Sequence, residues 1–236
     1  SETFPRQVKS LSRQFVVLCL MLLGLTCLVA QPSDELIRAL EDFRTEGPKG
    51  WAFTQTSHSP DRSRIETFTP LAASHLRWSL MEENGAPPSS KTVETYRQQQ
   101  TRRTSGQTAP NVKDQLILES AELREDDGER QHWHFQLRPG ADDDSSAEHM
   151  GSMLTFHLPT QTIEKIELAS FEEFSPVFGV NVESARTLIA YTIPTEATPS
   201  LLREIQVSIR GSAFYFKSLD SDMTVSYSDY EYMGKN

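Results

Sequence analysis

Residues 51–56 read Trp-Ala-Phe-Thr-Gln-Thr, and residues 76–80 read Leu-Arg-Trp-Ser-Leu. In the first stretch Trp51, Phe53 and Gln55 fall on one side. In the second Leu76, Trp78 and Leu80 do, with His75, Arg77 and Ser79 opposite. A period of two is the mark of a strand with one dry face, because successive side chains leave the pleat on opposite sides. Short segments of the same kind recur over residues 64–69, 115–122, 130–138, 151–158, 162–170, 177–184, 186–193, 202–210, 212–218 and 222–232. Gly85-Ala86-Pro87-Pro88, Arg138-Pro139-Gly140, Leu158-Pro159 and Ile193-Pro194 punctuate them, and residues of these types end strands or turn the chain. About a dozen strands in succession predict a mainly β protein with an antiparallel, incompletely closed β-barrel or a strongly curved sheet.

Two helices are expected beside the strands. Ser33 followed by Asp34 and Glu35 reads as an N-cap with acids in the first turn, where they complement the helix dipole. Leu36, Ile37, Leu40 and Phe43 then recur at helical spacing, and Gly47-Pro48 stops the run. Residues 89–103 (SSKTVETYRQQQTRR) combine possible serine caps with good helix formers and few apolar residues. They predict a solvated helix or lid-like insertion. Residues 140–148 (GADDDSSAE) lack the ligand spacing and central glycine of a calcium loop and read as a solvated acidic loop.

Ahead of the first helix lie Arg6, Lys9 and Arg13, then the 16-residue apolar run from Phe15 to Ala30 (FVVLCLMLLGLTCLVA). A basic segment, an apolar segment and a terminal small residue are the three parts of a secretory signal, and the run is short of the roughly 20 residues a spanning helix needs. Residues 1–30 are therefore expected to be a signal peptide cut after Ala30, although Leu28 is bulky for such a site. An uncleaved N-terminal anchor is the alternative. Lipid attachment at Cys27 is a further one, against which Leu25-Thr26 stand where small residues belong. Cleavage leaves 206 residues, 31–236, enough for a single domain with one core. Cys19 and Cys27 both go with the signal, and with them disulfides and thiol chemistry. Loss of three basic residues and Glu2 leaves 20 basic against 32 acidic side chains, a balance of −12. That charge argues against nucleic acid and against stable binding to anionic membranes, so membrane contact is expected to be transient at most.

Few residue clusters suggest catalysis. His132 and His134, two apart on a strand, point to one side and could share a metal, with His149 or His157 as further ligands. Their alternation, however, puts Trp133, Phe135 and Leu137 on the opposite, apolar side and the histidines on the polar one. No Gly-x-Ser-x-Gly turn, glycine-rich phosphate loop or zinc-protease helix motif is present. Glu172-Glu173 and Asp126-Asp127 are paired in sequence only. No catalytic residue, metal site or cofactor is expected. A metal-dependent enzyme using His132 and His134 remains the outlying alternative.

Aromatic residues are spread across many of the strands, among them Trp51, Phe53, Trp78, Trp133, Phe135, Phe156, Phe171, Phe174, Phe178, Phe214, Phe216 and Tyr227. If the strands wrap one interior, such side chains line it. Two readings follow. One is an ordinary filled core. The other is a hydrophobic ligand cavity lined by Trp51, Phe53, Trp78, Leu80, Trp133, Phe135 and Phe156.

The order of parts resembles a known family. An amphipathic helix, then Gly50-Trp51-Ala52-Phe53-Thr54-Gln55-Thr56, then Phe68-Thr69-Pro70 leading to Leu76-Arg77-Trp78-Ser79-Leu80, then strands to the end, looks like the LolA-type outer-membrane lipoprotein carriers. The resemblance runs through most of residues 31–236, and the Phe53-Thr54-Gln55 strand after the helix is its most specific part. It implies an open β-barrel lined with hydrophobic residues, a helical lid, and carriage of acylated cargo such as a lipoprotein across the periplasm without a cofactor; the chain is expected to be a monomer. Carriers of this family place an arginine directly before the early proline, where this chain has Thr69 before Pro70, so the lid-latching role has no matching residue. The insertion at 89–103 and the tail from Gly211 also depart from the pattern. The chain reads as a distant periplasmic relative that binds a hydrophobic ligand. A periplasmic sensor or interaction module with a filled core is the alternative.

Overall fold

The first helix starts where the sequence places its cap. In the computed structural model, which describes residues 31–43, 49–103, 111–139, 145–214 and 216–234, helix α1 spans Asp34–Asp42. The Ser33 side chain accepts from the Leu36 N–H at 3.2 Å, satisfying one of the amides a helix start leaves without a partner. The described residues all belong to the unit Gln31–Asn236. The expected signal segment 1–30 with both cysteines, the Gly47-Pro48 stop and the acidic run at 140–144 lie outside them.

After α1 the chain is almost entirely strands: β1 (Trp51–Ser59), β2 (Arg62–Phe68) and β3 (Trp78–Glu83), then helices α2 (Ser90–Arg103) and α3 (Val112–Gln115). There follow β4 (Leu116–Asp126), β5 (Arg130–Leu137), β6 (Met150–His157), β7 (Thr162–Ser170), β8 (Val180–Tyr191), β9 (Leu202–Ala213), β10 (Lys217–Ser218) and β11 (Ser221–Tyr232). All eleven join one antiparallel sheet in the order β3-β2-β1-β11-β9-β8-β7-β6-β5-β4, with β10 on β9 beside this path. The sheet is mainly a meander whose last long strand has come back to pair with its first. It is not closed into a barrel: β3 and β4 remain as its two edges, and the segment carrying α2 and α3 connects them.

Register makes one face of the sheet continuous. Directly paired residues share a face, and Leu123, Trp133, Leu154, Ile166, Ile189, Ile205, Val225 and Ser57 form one unbroken row from β4 to β1. Seven of the eight are apolar, so strand after strand contributes its dry side to a common inner face. The row turns polar at Ser57 and continues to Arg64 and Glu83 on β2 and β3.

Both longer helices lie on this face. Helix α1 packs on β7, with Leu36 and Leu40 wholly shielded and Phe43 edge-on to Tyr191 of β8 at 5.0 Å. Helix α2 contacts β3 and the 3-10 turn Ser74–Leu76. It buries Tyr96, whose ring lies 5.9 Å from the Arg64 guanidinium.

Three expected boundaries need correction. The segments 177–184 and 186–193 are one strand, β8. A register shift against β9 between Val182 and Ser184 changes the phase of the alternation, and in the sequence this looks like a break. The segment 212–218 divides into the end of β9 and the two-residue β10. Leu76 sits in the 3-10 turn, so β3 begins at Trp78.

Candidate functional site

The β1–β3 side of the inner face carries a cluster of rings around Phe53. The ring of Phe68 stacks on it at 5.0 Å, and Trp78, Tyr227 and Tyr230 each lie 5.6 Å away. Phe68 and Trp78 also meet at 5.1 Å. Trp51 extends the cluster toward Tyr232 at 5.3 Å and Tyr230 at 6.5 Å. Edge-on and offset arrangements at these separations are the favourable ones for aromatic pairs.

The convergence of Tyr227 and Tyr230 depends on a backbone irregularity. Residues three apart in a regular strand point to opposite faces. Between Ala52 and Thr54 the pairing of β1 with β11 slips by one, and Asp229 takes the left-handed conformation at φ 53°. The extra residue restores both tyrosines to the inner face, a recognised use of a bulge. The Tyr230 hydroxyl then donates to the Leu202 carbonyl at 2.6 Å, which fixes its ring.

The cluster is half-buried, whereas the opposite side of the sheet is sealed. Trp133, Phe135 and Phe156 are 2%, 0% and 1% exposed, packed in the same layer as Leu154, Ile166, Leu36 and Leu40. The seven residues expected to line a cavity therefore separate. Phe53, Trp78 and Trp51 come together in the accessible cluster, and Leu80 lies one pairing row from it. Trp133, Phe135 and Phe156 belong to the solid core across the sheet. Phe171, Phe178, Phe214 and Phe216 line no interior at all. They stand on the turns before β8 and after β9, where no sheet face holds them, and Phe178 is 97% exposed.

A cleft of about 510 Å³ opens beside α1, lined by Ala39, Phe43, Ile163, Tyr191 and Pro199 with Glu35, Arg38 and Asp42 at its rim. Tyr191 connects it to the ring cluster. Burial pushes the Tyr191 hydroxyl well above its ordinary pKa, and proximity to Tyr227 and Tyr230 adds to the shift. The cleft and the rings thus share one wall of the inner face.

One carboxyl group sits among these apolar side chains. Glu66 is only 5% exposed and pairs directly with Gln55 and Leu80, and Gln55 pairs in turn with Tyr227. The Gln55 amide donates to Glu66 at 3.1 Å. Burial first, and the Glu66 charge second, raise the Tyr227 pKa. Neighbouring Arg64 is turned to Glu83 at 3.1 Å, and Arg62 also pairs with Glu83.

The histidines do not converge. The His132 Nδ1 meets the Thr155 hydroxyl at 3.1 Å, and His134 lies 4.0 Å from Glu122. His149 pairs with Glu172 at 2.8 Å, and His157 with the Thr160 hydroxyl at 2.7 Å. Among the described residues no three His, Cys, Asp or Glu side chains form a metal-binding group.

Comparison with protein-family models, curated proteins and solved structures finds no match for the chain. The site is thus described by its own geometry. Tyr96, Tyr230, Tyr191 and Glu66 belong to it, and the sequence reading did not single them out. None of the four had a usable local signal, because each joins the site through pairing or packing with a distant segment.

Proposed function

We propose that this protein is an exported, non-catalytic carrier that holds a hydrophobic or acylated ligand on the inner face of an open sheet, in the manner of the LolA-type lipoprotein carriers. The observation that supports this most is the half-buried ring cluster around Phe53, which continues the apolar inner face of β4–β9 onto β1–β3 and β11. A filled core does not need to leave five aromatic rings accessible to water, since each is worth more when fully covered. An acyl chain laid along that face removes the remaining area from solvent and requires no directional partner. The sheet is not closed on itself, its edges being β3 and β4, which leaves the face open to such a chain. Helix α2 suits the role of lid: it is polar over most of its surface, and Tyr96 is its one buried aromatic side chain. Export of the chain by cleavage after Ala30 fits a ligand carried through the periplasm. Contact with a membrane is then limited to loading and release.

The test is uptake. Protein purified without detergent is expected to retain lipid detectable by mass spectrometry, or to bind a fluorescent acyl probe. A chain that does neither refutes the carrier. Trp78→Asp is expected to abolish uptake with the circular dichroism spectrum intact, because the charge cannot be covered by an acyl chain. Loss of folding in that variant instead makes Trp78 ordinary core.

A further inference from the structure

We infer that Glu66 and Gln55 form a head-group subsite on the inner face that selects a ligand with a cationic, hydrogen-bond-donating or quaternary nitrogen. The inference rests on the carrier reading and names the chemical class of its ligand.

A carboxylate shielded from water is costly to keep unless a cation or several donors face it. Glu66 is 5% exposed, yet among the described residues no Lys, Arg or His forms an ion pair with it. The nearest candidate along its strand, Arg64, is engaged by Glu83 and by the Tyr96 ring. Among the described residues, the one side-chain hydrogen bond to Glu66 comes from the neutral Gln55 amide. Its second carboxylate oxygen is not among the fully buried polar atoms left without a partner, so it stays within reach of an incoming group.

The surroundings favour a positive one. Gln55 and Glu66 sit one row from the stacked pair Phe53 and Phe68, and Gln55 is directly opposite Tyr227. Phe, Tyr and Trp rings present negative faces, so an ammonium placed among them gains attraction from the rings as well as from the carboxylate. An anionic head group meets Glu66 with like charge, and a neutral sugar gains neither term. The apolar row leading away toward Val225 and Ile205 is placed to take the tail of the same molecule. Helix α2, held over Arg64 by Tyr96, lies two residues along β2 from the subsite.

The experiment measures binding of dodecyltrimethylammonium, dodecyl maltoside and dodecyl sulfate, each below its micelle concentration and at physiological ionic strength, to the 31–236 chain and to Glu66→Gln. A favourable charge and ring environment is expected to make the ammonium compound bind about tenfold tighter than the maltoside. In Glu66→Gln that preference collapses to near unity while maltoside binding is unchanged, and Glu66→Asp retains it. The acidity of the whole chain changes by a single charge in Glu66→Gln and not at all in Glu66→Asp, so it cannot produce a collapse of the preference. Equal binding of ammonium and maltoside to the unsubstituted chain overturns the inference and leaves the carrier standing. A preference that persists in Glu66→Gln overturns it too, assigning selectivity to the general surface charge. No binding of any of the three overturns the carrier reading itself. Should Glu66→Gln fail to fold, the ratio in the unsubstituted chain and in Glu66→Asp decides the matter.

Discussion

The two sides of this sheet are built from the same pattern and finished differently. On the β4–β7 side, α1 lays Leu36 and Leu40 against the sheet, and Trp133, Phe135, Leu154 and Phe156 below are fully covered. On the β1–β3 side, α2 contributes Tyr96 to the interior, and the rings around Phe53 stay half-buried. An amphipathic helix with a complete apolar stripe makes a core. A polar helix with one deep anchor makes a cover. The inner face is therefore sealed on one side and partly exposed on the other, and the proposed carrier role depends on this asymmetry.

The contrast can be broken most forcefully at its sealed side. Phe135→Ala is expected to cost about 3–5 kcal/mol in chemical denaturation, the usual range for emptying a large buried ring site. A cost below 1 kcal/mol would mean the β4–β7 side is as loosely filled as the other. Next in size is Tyr96→Ala, expected to cost about 2 kcal/mol or less, because the ring anchors one helix rather than the sheet. Hydrogen exchange is expected to quicken through α2 and not through β5 or β6; quickening everywhere makes α2 part of the core. Ser33→Ala removes the cap of α1 and is expected to cost about 1 kcal/mol, read as a lower melting temperature.

The smallest expected effect is a pH dependence away from both helices. A hydrogen bond from Arg186 to Glu167 at 2.7 Å, reinforced by the charge of Arg186, holds the Glu167 carboxyl below its ordinary pKa. A depressed folded-state pKa means that the stabilisation is fully present above the unfolded value of about 4.3 and is lost as pH falls through the folded one. Arg186 is half-exposed, so the pair is worth about 1 kcal/mol or less. Glu167→Gln is expected to flatten the acid limb of a stability profile slightly and to leave stability above pH 6 reduced by that same small amount.

Much of this architecture could be read from the chain alone because it rests on local periodicity. The shared face of Trp51, Phe53 and Gln55 and the cap at Ser33 each depend on residues within a few positions, and pairing and capping place both where expected. What could not be read depends on register between distant strands. Tyr230 joins Tyr227 only because β11 slips by one residue against β1, a pairing between opposite ends of the described chain. Glu66 looks like a solvent-facing acid in Arg62-Ser63-Arg64-Ile65-Glu66-Thr67-Phe68, since both alternating sets in that strand mix polar and apolar residues. Only its pairing with Gln55 and Leu80 turns it inward. Tyr96 lies in a segment whose composition says water, and a single anchoring ring cannot be separated from a surface tyrosine without the strand it touches.

An open sheet also exposes two rows of backbone donors and acceptors that any passing strand could extend. Here β3 is six residues long and ends on Glu82 and Glu83. The other edge, β4, carries Glu119, Glu122, Glu125 and Asp126, and its pairing with β5 is interrupted twice. Short length, acidic side chains and irregular register are the devices by which edges discourage edge-to-edge growth. The unclosed sheet is thus bordered at both edges by features that discourage polymerisation, so leaving it open need not make it the seed of a fibre.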